Sequence, residues 1–133
     1  MLKARIGKEV VVRVPNAVGM LAQVAQIVSD KGINILASSS WVEGNAAVIR
    51  LVTDDHQRVV DVLQEKEFTL KENDVVLTEA AHKPGMLRRL TAQLAEDGID
   101  LRYLYATATP TQEQCQIVFA ASDNNRAVVL LNK

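Results

Sequence analysis

The chain repeats itself. Gly19-Met20-Leu21 returns as Gly85-Met86-Leu87, and Gly32-Ile33-Asn34-Ile35 returns as Gly98-Ile99-Asp100-Leu101, both at an offset of 66 residues. Five of the 15 positions from Gly19 to Ile33 are identical to their partners, and Val24/Leu90, Val28/Leu94 and Asp30/Glu96 are alike in character. Farther on, matching Val48 with Val118 and Val59 with Val129 needs an offset of 70, which places four extra residues in the second copy, between Thr107 and Gln114. A duplicated folded unit tolerates an insertion of this kind, confined to one turn. The fold must therefore be built twice, each time in about half of the 133 residues. A unit that small has a marginal core on its own, so the two copies are expected to associate within the chain.

Each copy reads as strand, helix, strand, strand, helix. From Glu9 to Val14 the valines at 10, 12 and 14 share one face at the period of a strand. Met20, Leu21, Val24, Ile27 and Val28 then form one helical stripe, which Gly32 ends. Ile33–Val42 and Ala46–Thr53 read as strands joined by the turn Glu43-Gly44-Asn45. Asp54 and Asp55 can cap a second helix carrying Val59, Val60 and Leu63 inward, and Phe68–Lys71 makes a short closing strand. The fold class is α+β: two βαββαβ units, residues 1–72 and 73–133, each a four-stranded antiparallel sheet with its helices on one face. The second unit lacks its last strand, because its final helix, Asn125–Lys133, uses up the sequence. Leu2–Ile6, which have no counterpart in the repeat, are expected along a sheet edge, in the gap this leaves.

Composition removes several classes of function. Hydrophobic residues make up 48% and charged residues 23%, the balance of a soluble globular chain. Fifteen basic and 16 acidic residues leave a net charge of −1, so there is no electrostatic footprint for nucleic acid or a membrane surface. The single cysteine, Cys115, cannot form an internal disulfide, which fits a reducing compartment. No apolar run approaches the roughly 20 residues of a membrane span, and Arg13 interrupts the valines where a signal peptide would need its apolar core. The expectation is a cytoplasmic protein.

Chemistry concentrates at the loop between first strand and first helix, Pro15-Asn16-Ala17-Val18-Gly19 in one copy and Ala81-His82-Lys83-Pro84-Gly85 in the other. One reading is a tight turn whose glycine permits close packing of strand and helix. The other starts from the unpaired N–H groups that open the helix, which form a site for a small carboxylate. Asn16 both donates and accepts hydrogen bonds. Asn34 can join it if the first two strands lie close in the sheet. Together they offer an α-amino acid donors for its carboxylate and acceptors for its ammonium.

At these residues the sequence resembles the ACT domain, the amino-acid-sensing βαββαβ module. The resemblance rests on Asn16-x-x-Gly19-Met20-Leu21, a helix of about a dozen residues, and Gly32-Ile33-Asn34-Ile35. It is similar in particular to the serine-sensing ACT domain that ends many phosphoglycerate dehydrogenases, where the corresponding asparagines contact the effector. The link Phe68–Val75 and the stretch Asp100–Ala106 resemble stand-alone tandem-ACT proteins. The resemblance implies two ferredoxin-like ACT units and a regulatory protein without catalysis, cofactor or metal. A free amino acid is the implied effector, held by Asn16, Ala17, Val18, Gly19, Met20, Leu21, Asn34 and Ile35. A second site would involve His82, Gly85, Met86, Leu87 and Asp100. There His82 and Asp100 replace the two asparagines, and an aspartate repels a ligand carboxylate while holding an ammonium. The implied partners are a second copy of the chain, as a homodimer, and an enzyme that it regulates. A ligand-free assembly module is the alternative.

Other residues point to less. Ser38, Ser39 and Ser40 have no histidine or acid at the spacing of a nucleophilic triad. His56 and His82 are too isolated for a metal site. Arg88 and Arg89 fall on the polar face of their helix. Tyr103 and Tyr105 share a strand face as base-stacking aromatics do, but without the basic surroundings of an RNA-binding sheet.

Overall fold

In the computed structural model, which describes residues 2–133, the elements follow in the order β1 (Leu2–Pro15), α1 (Met20–Asp30), β2 (Ile35–Glu43), β3 (Ala46–Thr53), α2 (His56–Glu65), β4 (Thr69–Ala81), α3 (Met86–Glu96), β5 (Leu101–Thr107), β6 (Gln114–Ala121) and α4 (Asn124–Leu131). Two of the strands are much longer than their apolar patterns. β1 begins well before Glu9, and β4 joins the expected closing strand and the strand from Val75 into one, through the polar residues Glu72, Asn73 and Asp74. Backbone pairing, indifferent to side chains, carries a strand across residues of low strand propensity. The chain divides into two compact units: Lys8–Asn73, and Asp74–Lys133 together with the residues up to Gly7.

In the unit Lys8–Asn73 the strand order is β2-β3-β1-β4, and β1 and β2 are each antiparallel to β3. Val10, Val12 and Val14 point to the helical face, where they meet Ile49 and Leu51, Val24 and Val28 of α1, and Val59 and Leu63 of α2. Asp55 caps α2 by accepting the Arg58 N–H at 3.3 Å.

In the other unit the order is β1-β4-β6-β5, so residues Leu2–Gly7 form the edge strand beside β4, as expected of them. Ala4 is buried in the core of Val76, Leu90, Leu94, Ile117, Phe119 and Leu131, with Leu2 packed against it. Asn132 fastens this strand: its Oδ1 accepts the Ala4 N–H and its Nδ2 donates to the Ala4 carbonyl, both at 2.8 Å. One side-chain amide thus satisfies both backbone groups of a residue, as a neighbouring strand would. At Gly7 a Cβ would press on the Leu77 side chain, which would have to shift to admit it. Met1 lies outside the described residues.

The register corrects the spacing of the repeat. Val12 pairs with Ile49 and Thr78 pairs with Ile117. Val12 and Thr78 differ by 66, but their partners differ by 68, not 70. The helix caps agree, since Asp55 caps α2 and Asp123 caps α4. Val59 therefore corresponds to Ala127, both fully buried, while Val129 is 53% exposed. A slip of two leaves every strand residue facing the same side, so alternation alone cannot tell the two offsets apart.

Candidate functional site

The loop after β1 is tied down by the chain itself. The Asn16 N–H donates to the Asn45 carbonyl at 2.9 Å, which fixes the loop against the β2–β3 turn. Gly19 then turns the chain into α1 with φ of 88°. A Cβ there would meet nothing within 4 Å, so close packing of strand on helix is not what the glycine serves. It is there for its positive φ, which a side chain would strain. The turn leaves α1 without a side-chain cap, and α3 begins the same way at Gly85, whereas α2 and α4 are capped by Asp55 and Asp123. The helix starts that lack a side-chain cap are the two at the candidate loops.

A hollow of about 500 Å³ opens at the start of α1, lined by Asn16, Ala17, Gly19, Met20 and Leu21 from the loop and helix, with Ser40 and Trp41 of β2 and Ile49 of β3 among its other walls. Trp41 is braced from several sides. Its Nε1–H donates to Glu43 Oε1 at 3.0 Å, and the Arg50 guanidinium lies 5.1 Å from its ring centroid. Arg50 Nη1 in turn donates to Glu9 Oε1 at 2.7 Å, and Glu9, fully buried, also accepts from Asn73 Nδ2 at 3.3 Å. The Trp41 hydrogen bond, then that of Arg13, holds the Glu43 carboxyl below its ordinary value. Val18 is fully exposed and stands outside the lining.

Asn34 and Ile35 are elsewhere. β3 lies between β1 and β2, and its antiparallel pairing with both makes β1 and β2 run in the same direction. Asn16 follows the end of β1, while Asn34 precedes the start of β2. Pro15 and Glu43 both pair with Ala46, but Ile35 pairs with Thr53 at the opposite end. The length of β2, roughly 25 Å at 3.3 Å per residue, separates the two asparagines within one unit. Asn34 is engaged there: its backbone N–H and its Nδ2 donate to the Asp54 carboxylate at 3.0 and 2.8 Å. Those bonds, the side-chain one foremost, hold the Asp54 carboxyl below its ordinary value.

The second loop repeats the arrangement. The His82 N–H donates to the Glu113 carbonyl at 2.7 Å, Gly85 has φ of 86°, and a smaller hollow of about 270 Å³ is lined by His82, Lys83, Met86, Leu87, Cys115 and Ile117 among others. Asp100, like Asn34, is at the far end of its strand, its N–H donating to Ser122 Oγ at 3.0 Å. His56 pairs with Glu72 at 2.7 Å, and among the described residues no three His, Cys, Asp or Glu side chains group as metal ligands. The sequence reading missed Trp41 and Lys83 as walls. The Glu43-Gly44-Asn45 turn was the available signal, since Asn45 accepts from the Asn16 N–H and Trp41 stands two residues before the turn.

Residues 8–67 match the family model of the ACT domain, so an ACT domain is present in the chain, within the unit Lys8–Asn73. No curated protein matches the sequence. Among solved structures, a Bacteroides thetaiotaomicron protein superimposes with a TM-score of 0.89 at 21% identity, over 97% of this chain and 88% of that one. The ligand-free regulatory subunit of aspartate kinase from Thermus thermophilus gives 0.69 at 14% identity, over 98% and 94%. Aspartate kinase from Clostridium acetobutylicum gives 0.63 at 14%, over 98% of this chain and 33% of the enzyme. At these identities the likeness is one of fold.

Proposed function

We propose that the chain is an amino-acid-binding regulatory protein of two tandem ACT units, without catalytic activity of its own. The observation that carries this reading is the hollow at the uncapped start of α1, with Asn16 in its wall. The N–H groups there take the carboxylate of a free amino acid, and the Asn16 amide takes its ammonium or a polar side chain. The ACT domain and the aspartate kinase regulatory subunit among the structural neighbours support the regulatory role. The effector acts by stabilising one arrangement of units, which a regulated enzyme reads.

A site that uses both Asn16 and Asn34 needs two chains. β2 is an edge strand, and it exposes Leu36, Trp41 and Val42. Pairing it antiparallel with β2 of a second chain, centred on Ser39, sets Asn34 of one chain beside the Trp41–Glu43 end of the other. The same exposed edge is the specific support for the rival reading, an assembly module without a ligand.

A thermal-shift screen against the twenty amino acids separates the two. Under the regulatory reading one small polar amino acid at 100 times its dissociation constant adds about 2.7 kcal/mol, and Asn16→Ala weakens that response about tenfold in affinity. A flat response to all twenty leaves only assembly.

A further inference from the structure

The two hollows stand at the same place in their units, yet their walls differ in charge. No charged side chain lines the one at α1. The hollow at α3 carries Lys83 and His82 at its mouth, and no carboxylate among its lining. Its floor is apolar, made by buried Met86 and Ile117 and half-buried Cys115. Neither the Lys83 ammonium nor the His82 ring is in an ion pair among the described residues. Asp100, the residue that would have accepted a ligand ammonium, precedes the start of β5, at the opposite end of that strand from Ala106 and Thr107 in the hollow's wall, and its backbone N–H donates to Ser122 Oγ.

Those walls discriminate between ligands that share a carboxylate. A carboxylate at the mouth gains a charge-assisted contact with Lys83. An α-amino acid brings an ammonium to the same place, beside a fixed cation and with no acid to balance it, and like charges at short range disfavour the complex. The floor meanwhile takes a compact apolar body, and the volume of about 270 Å³ is below that of drug-sized pockets, which begin near 300 Å³.

We propose that the hollow at α3 binds a short branched-chain monocarboxylate that lacks an ammonium group, its carboxylate on Lys83 and its body on Met86, Cys115 and Ile117. This rests on the reading that both loops are ligand sites, and it makes the second a site for a different class of metabolite rather than a weakened copy of the first. The chain would then respond to two kinds of small acid.

Titration calorimetry on the full chain tests it, with α-ketoisocaproate and with leucine, which has the same body and adds the ammonium. The keto acid should bind at least about tenfold more tightly than leucine. Lys83→Gln, on an exposed loop, should lose about that factor for the keto acid, and Asn16→Ala should leave it unchanged. Methyl spectra should show the keto acid at Met86 and Ile117. Leucine binding equally well, keto-acid binding that fails in Asn16→Ala, or no keto-acid binding at all would each overturn the inference. If a small polar amino acid still binds in an Asn16-dependent manner, the regulatory reading survives that failure. If neither ligand binds, both readings fall.

Discussion

At the scale of single residues, burial decides which ion pairs matter. Arg50 and Glu9 are joined at 2.7 Å with 14% and none of their side chains exposed, whereas Arg13 and Glu43, at 3.1 Å, are half in solvent. Removing one partner of a buried pair strands a desolvated charge and costs about 3–5 kcal/mol, while an exposed pair contributes about 1 kcal/mol or less. Denaturant unfolding should therefore show Arg50→Met strongly destabilised and Arg13→Ala nearly unchanged. Arg50→Met also removes the cation over Trp41, the sole tryptophan, so its emission reports the change independently. Asp54 offers a test in pH. Hydrogen bonds from Asn34 hold its carboxyl below the ordinary 3.8, so the ionised form stabilises the fold above that value. The contribution is lost as pH falls through the lowered folded value. The stability gap between wild type and Asn34→Ala should therefore be full at neutral pH and close in acid. A gap that persists unchanged in acid would show that the carboxylate's charge has no part in it.

At the scale of elements, what could be read from the sequence and what could not divides by the range of the interaction. The helix over Met20–Asp30, the strand–turn–strand around Gly44 and the caps at Asp55 and Asp123 depend on neighbours a few residues away, and local pattern suffices for them. The offset within the second half escaped because a two-residue slip preserves the face of every strand residue. The placement of Asn34 depended on which strand lies between which, and alternation carries no such information. The polar stretch Glu72–Asp74 looked like a link because pairing across a sheet is invisible in one strand's side chains. The amino-terminal strand was legible only as a leftover segment matched to a missing one. What secures it, the Asn132 amide on Ala4, lies 128 residues away in sequence. Asn132→Ala should leave both Ala4 backbone groups short of a partner and cost about 1–3 kcal/mol. Hydrogen exchange at Ala4 and Lys3 should accelerate more than exchange in β6. Uniform acceleration would mean that the clamp is not local to this strand.

At the scale of the whole molecule, the exposed edge of β2 is the feature that a single chain leaves unresolved. Its sequence, Ile35–Glu43, contains no lysine and no proline, the residues that protect edge strands from pairing, and its one charge is terminal. The edge strand of the other unit, β5, carries Arg102 near its start and has only seven residues, so it is the poorer template. Pairing of β2 with its copy would cover Trp41 and Val42 and bring an Asn34–Asp54 pair to the mouth of the α1 hollow of each chain. Val42→Lys sets a charge on that edge without touching either core, and Val42 is 56% exposed, so the unit should keep its fold and melting temperature. Light scattering at micromolar concentration should show wild type as a dimer and Val42→Lys as a monomer, with amino-acid binding weakened alongside. A wild-type monomer would remove the two-chain site and leave Asn16 to act within one unit. A Val42→Lys dimer that still binds would place the interface on another surface.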